Sequence, residues 1–196
     1  MSIQKHHHFI LNKPFGYLSQ FVNNQNKRRN KKLLGELHDF PEGTMSIGRL
    51  DEKSEGLLLL TTDGKMSSAI TSESAEKEYY VQVDGEISEE AIEIMRKGVN
   101  INIHGKFYTT KPCEVEPLKH PPVLGYRPKL REARHGATSW IAVVLTEGKF
   151  RQIRKMTAAI GFPTLRLVRV RVGKILIGDL QAGQWKELPE LTDALQ

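Results

Sequence analysis

The chain has 196 residues, 39% of them hydrophobic and 27% charged, which is the make-up of a folded protein with its own core and excludes a disordered polyelectrolyte. No apolar run approaches the roughly 20 residues of a membrane helix, and the opening MSIQKHHHFIL has neither the apolar core nor the cleavage pattern of a secretory leader. A formal charge of +6 points to a polyanionic partner, and the lone Cys113 rules out an internal disulfide and suits a reducing cytoplasm.

In chain order, HFIL, NKPFG and YLSQFV predict a strand, a turn marked by Pro14 and Gly16, and a second strand over residues 8–22. The polar stretch 23–32 carries Lys27, Arg28, Arg29, Lys31 and Lys32 and reads as a loop, either solvated or in contact with phosphate. Leu33, Leu34, Leu37 and Phe40 predict a short amphipathic helix. The leucines 57–60, closed by Asp63-Gly64, predict a central strand buried on both faces, with a short helix near 66–70 after it.

YYVQV, residues 79–83, alternates: Tyr79, Val81 and Val83 share one face, and Tyr80 and Gln82 the other. The helix that follows has Ser88 as its cap, acidic residues in its first turn, Ile87 to staple onto Ile92 and Gly98 at its end. Residues 111–138 are rich in proline and basic side chains and predict an irregular functional segment. Trp140–Thr146 reads as a strand, then 152–160 as a helix with Ile153, Met156 and Ile160 inward and Arg151, Arg154 and Lys155 as a cationic face. TLRLVRVRV, 164–172, alternates with a slip of phase that predicts a bulge or strand end near 167–168 and a polar face shared by Arg169 and Arg171. Several strands, few long helices and tight glycine turns give an α+β fold with a mixed, mostly antiparallel sheet.

The chemistry narrows by elimination. No cysteine–histidine spacing for a zinc site, no phosphate-binding glycine loop, no dinucleotide fingerprint and no nucleophile elbow occurs in the sequence. A carboxylate close to cations remains. Arg49 and Asp51 can share a side of an extended or turning segment because they are two residues apart. An arginine beside Asp51 keeps it ionised, so that it can act as a nucleophile or a base on a sugar carbon. The alternative is a salt bridge that only stiffens a loop.

The string GRLDEKSEGLLLLTTDG, residues 48–64, resembles the signature of RNA pseudouridine synthases of the RsuA/RluE branch. KEYYVQVDG (77–85) resembles the family's K-x-Y-x-V-x-V-x-G strand, and EGKFRQIRKM (147–156) its E-G-[KR]-x-R-Q-[IV]-R-[RK]-M segment. FPTLRLVRVRVGKILIGDLQAGQWKEL is similar to the family's C-terminal strands, so the resemblance covers residues 8–190. It implies a pseudouridine synthase fold: one catalytic domain over 1–196, two lobes around a central RNA-binding cleft, and none of the S4-type modules of many relatives. It implies Asp51 as the essential aspartate, Tyr79 as the ring against the target base, Arg154 as the partner of Asp51, and Arg49 as the side chain that enters the RNA stack. Leu165 or Leu167 would wall the pocket.

The implied reaction isomerises a uridine of ribosomal RNA, most like the large-subunit enzymes, in a cytoplasmic monomer without cofactor or metal. A nucleophilic and a glycal-like route both fit the residues. A non-catalytic RNA-binding or ribosome-assembly protein on the same scaffold, or the same enzyme on transfer RNA, are the alternatives. Without an S4 module, RNA grip would come from Lys27, Arg28, Arg29, Lys31 and Lys32, the 119–135 segment, and Lys149, Arg151 and Lys155.

Overall fold

The structure is a computed structural model that describes residues 5–22, 30–72, 75–130 and 136–194. Residues up to Ala75, together with Arg169 onward, form one compact unit, and Glu76–Val168 form a second.

In the first unit β1 (His8–Lys13) runs antiparallel between β11 (Trp185–Leu188) and β3 (Glu55–Thr61), and β2 (Met45–Ile47) also pairs with β3. Every residue of β3 is buried. An unbroken leucine run, rather than an alternation, is the pattern of a strand covered on both faces. Leu57 and Leu59 pack with Ile10, Ile47, Ile70, Val172 and Leu191. Leu58 and Leu60 lie opposite Leu11 and Phe9 in register, and the Phe9 ring meets Phe40 at 5.3 Å and Trp185 at 5.6 Å. Each leucine buried this way stabilises the fold by about 1.5–3 kcal/mol.

After β3 comes α1 (Gly64–Ser72). Asp63 caps it: its Oδ1 accepts from the Lys65 and Met66 amides at 2.8 and 3.3 Å, and these bonds, led by that of Met66, hold its carboxyl below the usual range.

In the second unit β4 (Lys77–Asp84) pairs with β8 (Thr138–Leu145), and the edge strand β7 (Glu114–Pro117) pairs with β8, both antiparallel. The Tyr79–Val81–Val83 face is the buried one, as the alternation predicts. Between β4 and β7 lie α2 (Glu89–Lys97) and the hairpin of β5 (Asn100–Ile103) and β6 (Lys106–Thr109). Ser88 caps α2 by accepting from the Ala91 amide, and Gly98 ends it. After β8, α3 (Gln152–Ala159) is followed by β9 (Thr164–Val172), which starts in this unit and finishes in the first, where β10 (Ile175–Leu176) pairs with it.

Several expectations are corrected. Residues 17–22 form no strand; beyond a single bridge from Tyr17 to Lys32, their backbone serves the loops around them. The predicted helix around 33–40 shrinks to one 3-10 turn, Leu34–Glu36, because only Leu34 is anchored in the core. The proline-rich stretch contains β7, with Pro117 at the end of an edge strand where no ladder donor is missed.

β9 runs unbroken through 167–168. Both of its faces are covered from Arg166 to Val170, so a shift in alternation exposes nothing. For the same reason Arg169 does not share an exposed face with Arg171: it is buried, and its Nε donates to the Leu57 carbonyl at 2.7 Å.

Candidate active site

In the first unit Asp51 sits in the loop between β2 and β3, partly buried. Its neighbour Leu50 is the anchor of that loop. The Leu50 side chain is buried, and Ser19 grips its backbone from both ends: the Leu50 amide donates to Ser19 Oγ at 3.0 Å, and Ser19 Oγ–H donates to the Leu50 carbonyl at 2.8 Å. The loop is closed by the Ser54 amide on the Asp51 carbonyl and the Gly16 amide on the Glu52 carbonyl. Lys31 binds both carboxylate oxygens of Glu52, at 2.7 and 2.9 Å.

Arg49 is exposed and lines a cavity of about 340 Å³ with Ser19, Phe21, Met45, Ser46 and Ser67.

Beneath this loop lies Lys13, the last residue of β1, with none of its surface exposed. Its ammonium donates to the carbonyls of Pro14 and Tyr17 at 2.8 Å each. Burial pushes its pKa down to about 7, against the opposing pull of the Glu55, Asp51 and Glu52 carboxylates.

In the second unit Tyr79 lies on β4 opposite Val143, and Arg154 lies on α3. The loop that feeds α3 is built around the Glu147 carboxylate. It accepts from Tyr108 Oη at 2.6 Å, the Lys111 amide at 2.9 Å and Gln152 Nε2 at 2.7 Å. Burial alone would raise the Glu147 pKa, but these bonds and the Lys149 charge outweigh it, and the net direction is down. Gln152 turns its other end to the Lys149 amide at 3.0 Å. Arg151, at the helix N-cap, takes the left-handed conformation with φ 52°, and Lys155 reaches the Asn102 carbonyl at 2.6 Å.

Leu167 is buried on β9 and Leu165 is partly exposed. The backbone around them is clamped to the proline-rich segment: Arg127 donates to the Leu165 carbonyl at 2.6 Å, and Arg166 to the Gly125 carbonyl at 2.9 Å.

The family model described as RNA pseudouridylate synthase matches residues 7–159. The chain belongs to that family. Its members isomerise uridine to pseudouridine in RNA. Over 190 residues the chain is 40% identical to a protein of Vibrio parahaemolyticus named "Ribosomal large subunit pseudouridine synthase E", covering 96% of this chain and 76% of that one. It is also 40% identical over 180 residues to a protein of the same name from Xanthomonas campestris pv. campestris, covering 90% and 92%. A solved structure titled "Crystal structure of pseudouridylate synthase" superposes with a TM-score of 0.76 at 26% identity, covering 96% of this chain and 72% of that one.

For this pseudouridine synthase the first unit carries Arg49 and Asp51, and the second carries Tyr79, Arg154, Lys149, Arg151, Lys155, Leu165 and Leu167. Of the basic loop, Lys27, Arg28 and Arg29 lie outside the described residues. Lys31 is engaged with Glu52, and Lys32 sits over the Tyr17 ring at 5.3 Å. On the cationic face foreseen on α3, Lys155 is tied to a carbonyl.

Lys13 and Ser19 escape the sequence reading, as do the bonds that Glu147 and Gln152 make. For Lys13 a signal exists: a lysine closing an otherwise buried strand, immediately before a proline turn. Among the described residues no group of three or more carboxylate, histidine or cysteine side chains is arranged to hold a metal ion.

Proposed function

We propose that this pseudouridine synthase acts on a uridine of large-subunit ribosomal RNA, with Asp51 as its catalytic carboxylate. The observation that carries this reading is the GRLDEKSEGLLLLTTDG string in a chain 40% identical, over nearly its whole length, to proteins named for that substrate. The pinning of the Asp51 loop by Ser19 and the buried Leu50 supports it, because a carboxylate that attacks a sugar must be held in place before the substrate arrives.

A uridine within folded RNA must leave its stack, at about a few kcal/mol, before chemistry can reach it. Arg49, exposed at the edge of the loop, takes the vacated place. Tyr79 offers its ring to the everted base. Arg154 orients the Asp51 carboxylate, and Leu165 or Leu167 closes the apolar side of the pocket.

Asp51 then displaces uracil at the anomeric carbon, or removes a ribose proton to leave a glycal-like sugar. Either way the C1'–N1 bond breaks. The uracil turns and a C1'–C5 bond forms, as the Asp51–C1' bond breaks on the first route or as Asp51 returns the proton to the ribose on the second; N1 gains a proton and the hydrogen on C5 passes to solvent. The enzyme works as a monomer in the cytoplasm.

Large-subunit RNA transcribed with uridine tritiated at carbon 5 tests the reading. Tritium release by the native chain, abolished in Asp51→Asn, is the expected outcome. Release that survives Asp51→Asn overturns the role of Asp51, and release from another RNA class alone overturns the substrate.

A further inference from the structure

A second feature of the unit that carries Tyr79 has no part in the chemistry above. The β5–β6 hairpin turns through His104 and Gly105, both at positive φ (51° and 85°), with the Gly105 amide held by Asn102 Oδ1 at 2.8 Å. That turn presents the exposed His104 ring to Phe150, from the loop before α3. The two rings stack with centroids 4.9 Å apart and planes 26° apart. Phe150 stays 52% exposed despite this contact, so the stack keeps an open aromatic surface.

Cations surround it. Lys155 Nζ lies 5.1 Å from the centre of the Phe150 ring while it donates to the Asn102 carbonyl, and Lys149 lies 4.9 Å from the centre of the neighbouring Tyr108 ring. Lys106 and Lys111 are exposed on the same hairpin and just beyond it. The nearby acid, Glu147, already has its oxygens engaged by Tyr108, Lys111 and Gln152.

A flat aromatic face in a positive field fits one chemistry above others: the π-face of a nucleobase whose neighbouring phosphates need neutralising. From this we infer that His104 and Phe150 form a stacking platform for an unpaired base of the substrate RNA, other than the uridine that is isomerised, with Lys149 and Lys155 supplying charge for the adjoining phosphates. The inference rests on the reading of the chain as an enzyme acting on RNA, and it names a contact that reading does not assign.

The test compares native chain, Phe150→Leu and Phe150→Tyr on unmodified large-subunit RNA, by KM and kcat for tritium release and by Kd in filter binding. Leucine keeps an apolar side chain but removes the ring face, and Phe150 is exposed enough that the fold survives, which a urea midpoint checks. Because the platform grips substrate and transition state alike, Phe150→Leu raises KM and Kd about 5- to 100-fold with kcat unchanged, and Phe150→Tyr restores native values. The salt dependence of Kd stays the same in Phe150→Leu, since no cation is lost.

A leucine variant with native Kd, or a tyrosine variant as weak as leucine, overturns the platform. If the native chain binds this RNA but releases no tritium, the enzymatic reading fails while the Kd comparison still decides the platform. If it does not bind this RNA at all, both fall.

Discussion

At the scale of single residues, Lys13 is held under electrostatic tension. It is wholly buried, its ammonium is spent on the Pro14 and Tyr17 carbonyls, and its pKa falls to about 7 because burial outweighs three carboxylates. A base whose pKa is depressed on folding binds fewer protons folded than unfolded between that pKa and its ordinary value. Stability therefore rises as pH climbs from about 7 towards the ordinary lysine range of about 10.4, and the lysine contributes no further slope below pH 7. Removing the ammonium strands two carbonyls without a donor. Lys13→Met should lose about 1–3 kcal/mol at neutral pH, and the difference in urea midpoint between native and variant should change across pH 7–10. A midpoint difference that does not move over that range would show that Lys13 keeps an ordinary pKa.

At the scale of elements, patterns that report burial are legible and patterns that report partners are not. The leucine run and the YYVQV alternation give β3 and β4 their correct faces, because burial on both faces or on one writes itself directly into hydropathy. Ser88 and Gly98 mark both ends of α2 because capping chemistry is local. The hairpin 100–109 is invisible to the same reading. Its strands are four residues each, mostly exposed, and turn on a His-Gly pair rather than the usual Asn-Gly.

Arg169 misleads for another reason. An arginine in an alternating strand reads as solvent-facing, yet its guanidinium finds a backbone carbonyl distant in sequence, as that of Arg166 also does.

The junction between α2 and the hairpin offers a sharper test. A Cβ on Gly98 would stand 2.4 Å from the Thr110 carbonyl oxygen at φ 106°, whereas one on Gly105, at φ 85°, meets nothing within 4 Å. Gly105→Ala should therefore cost only backbone strain, about 1–3 kcal/mol, and Gly98→Ala that strain plus a forced separation of about the same size again. Equal losses of thermal stability in the two variants would refute the close approach.

At the scale of the molecule, the residues proposed for the chemistry are the legible ones, because Arg49, Asp51, Tyr79 and Arg154 lie in contiguous strings. Their supports are not legible, because Ser19 reaches across 31 residues to Leu50 and Tyr108 across 39 to Glu147. The net charge of +6 makes RNA affinity fall with salt, but the cations are not equivalent. Arg96 is surrounded by Glu89, Glu93 and Glu116, and Lys97 pairs with Glu93, so α2 is close to neutral on its own. Lys149 acts on the Glu147 carboxylate only through its charge, with no salt bridge among the described ion pairs, and sits over an aromatic ring.

A cation that neutralises a phosphate contributes about 0.7–0.9 to the slope of log affinity against log salt, and one already paired within the protein contributes little. Lys149→Gln should flatten that slope by about one such contribution, and Lys97→Gln should leave it unchanged. The two slopes, measured by filter binding on the same RNA between low and moderate salt, decide the matter. Equal flattening would mean that RNA responds to the overall charge, and an unchanged slope in Lys149→Gln would remove that side of α3 from the RNA surface.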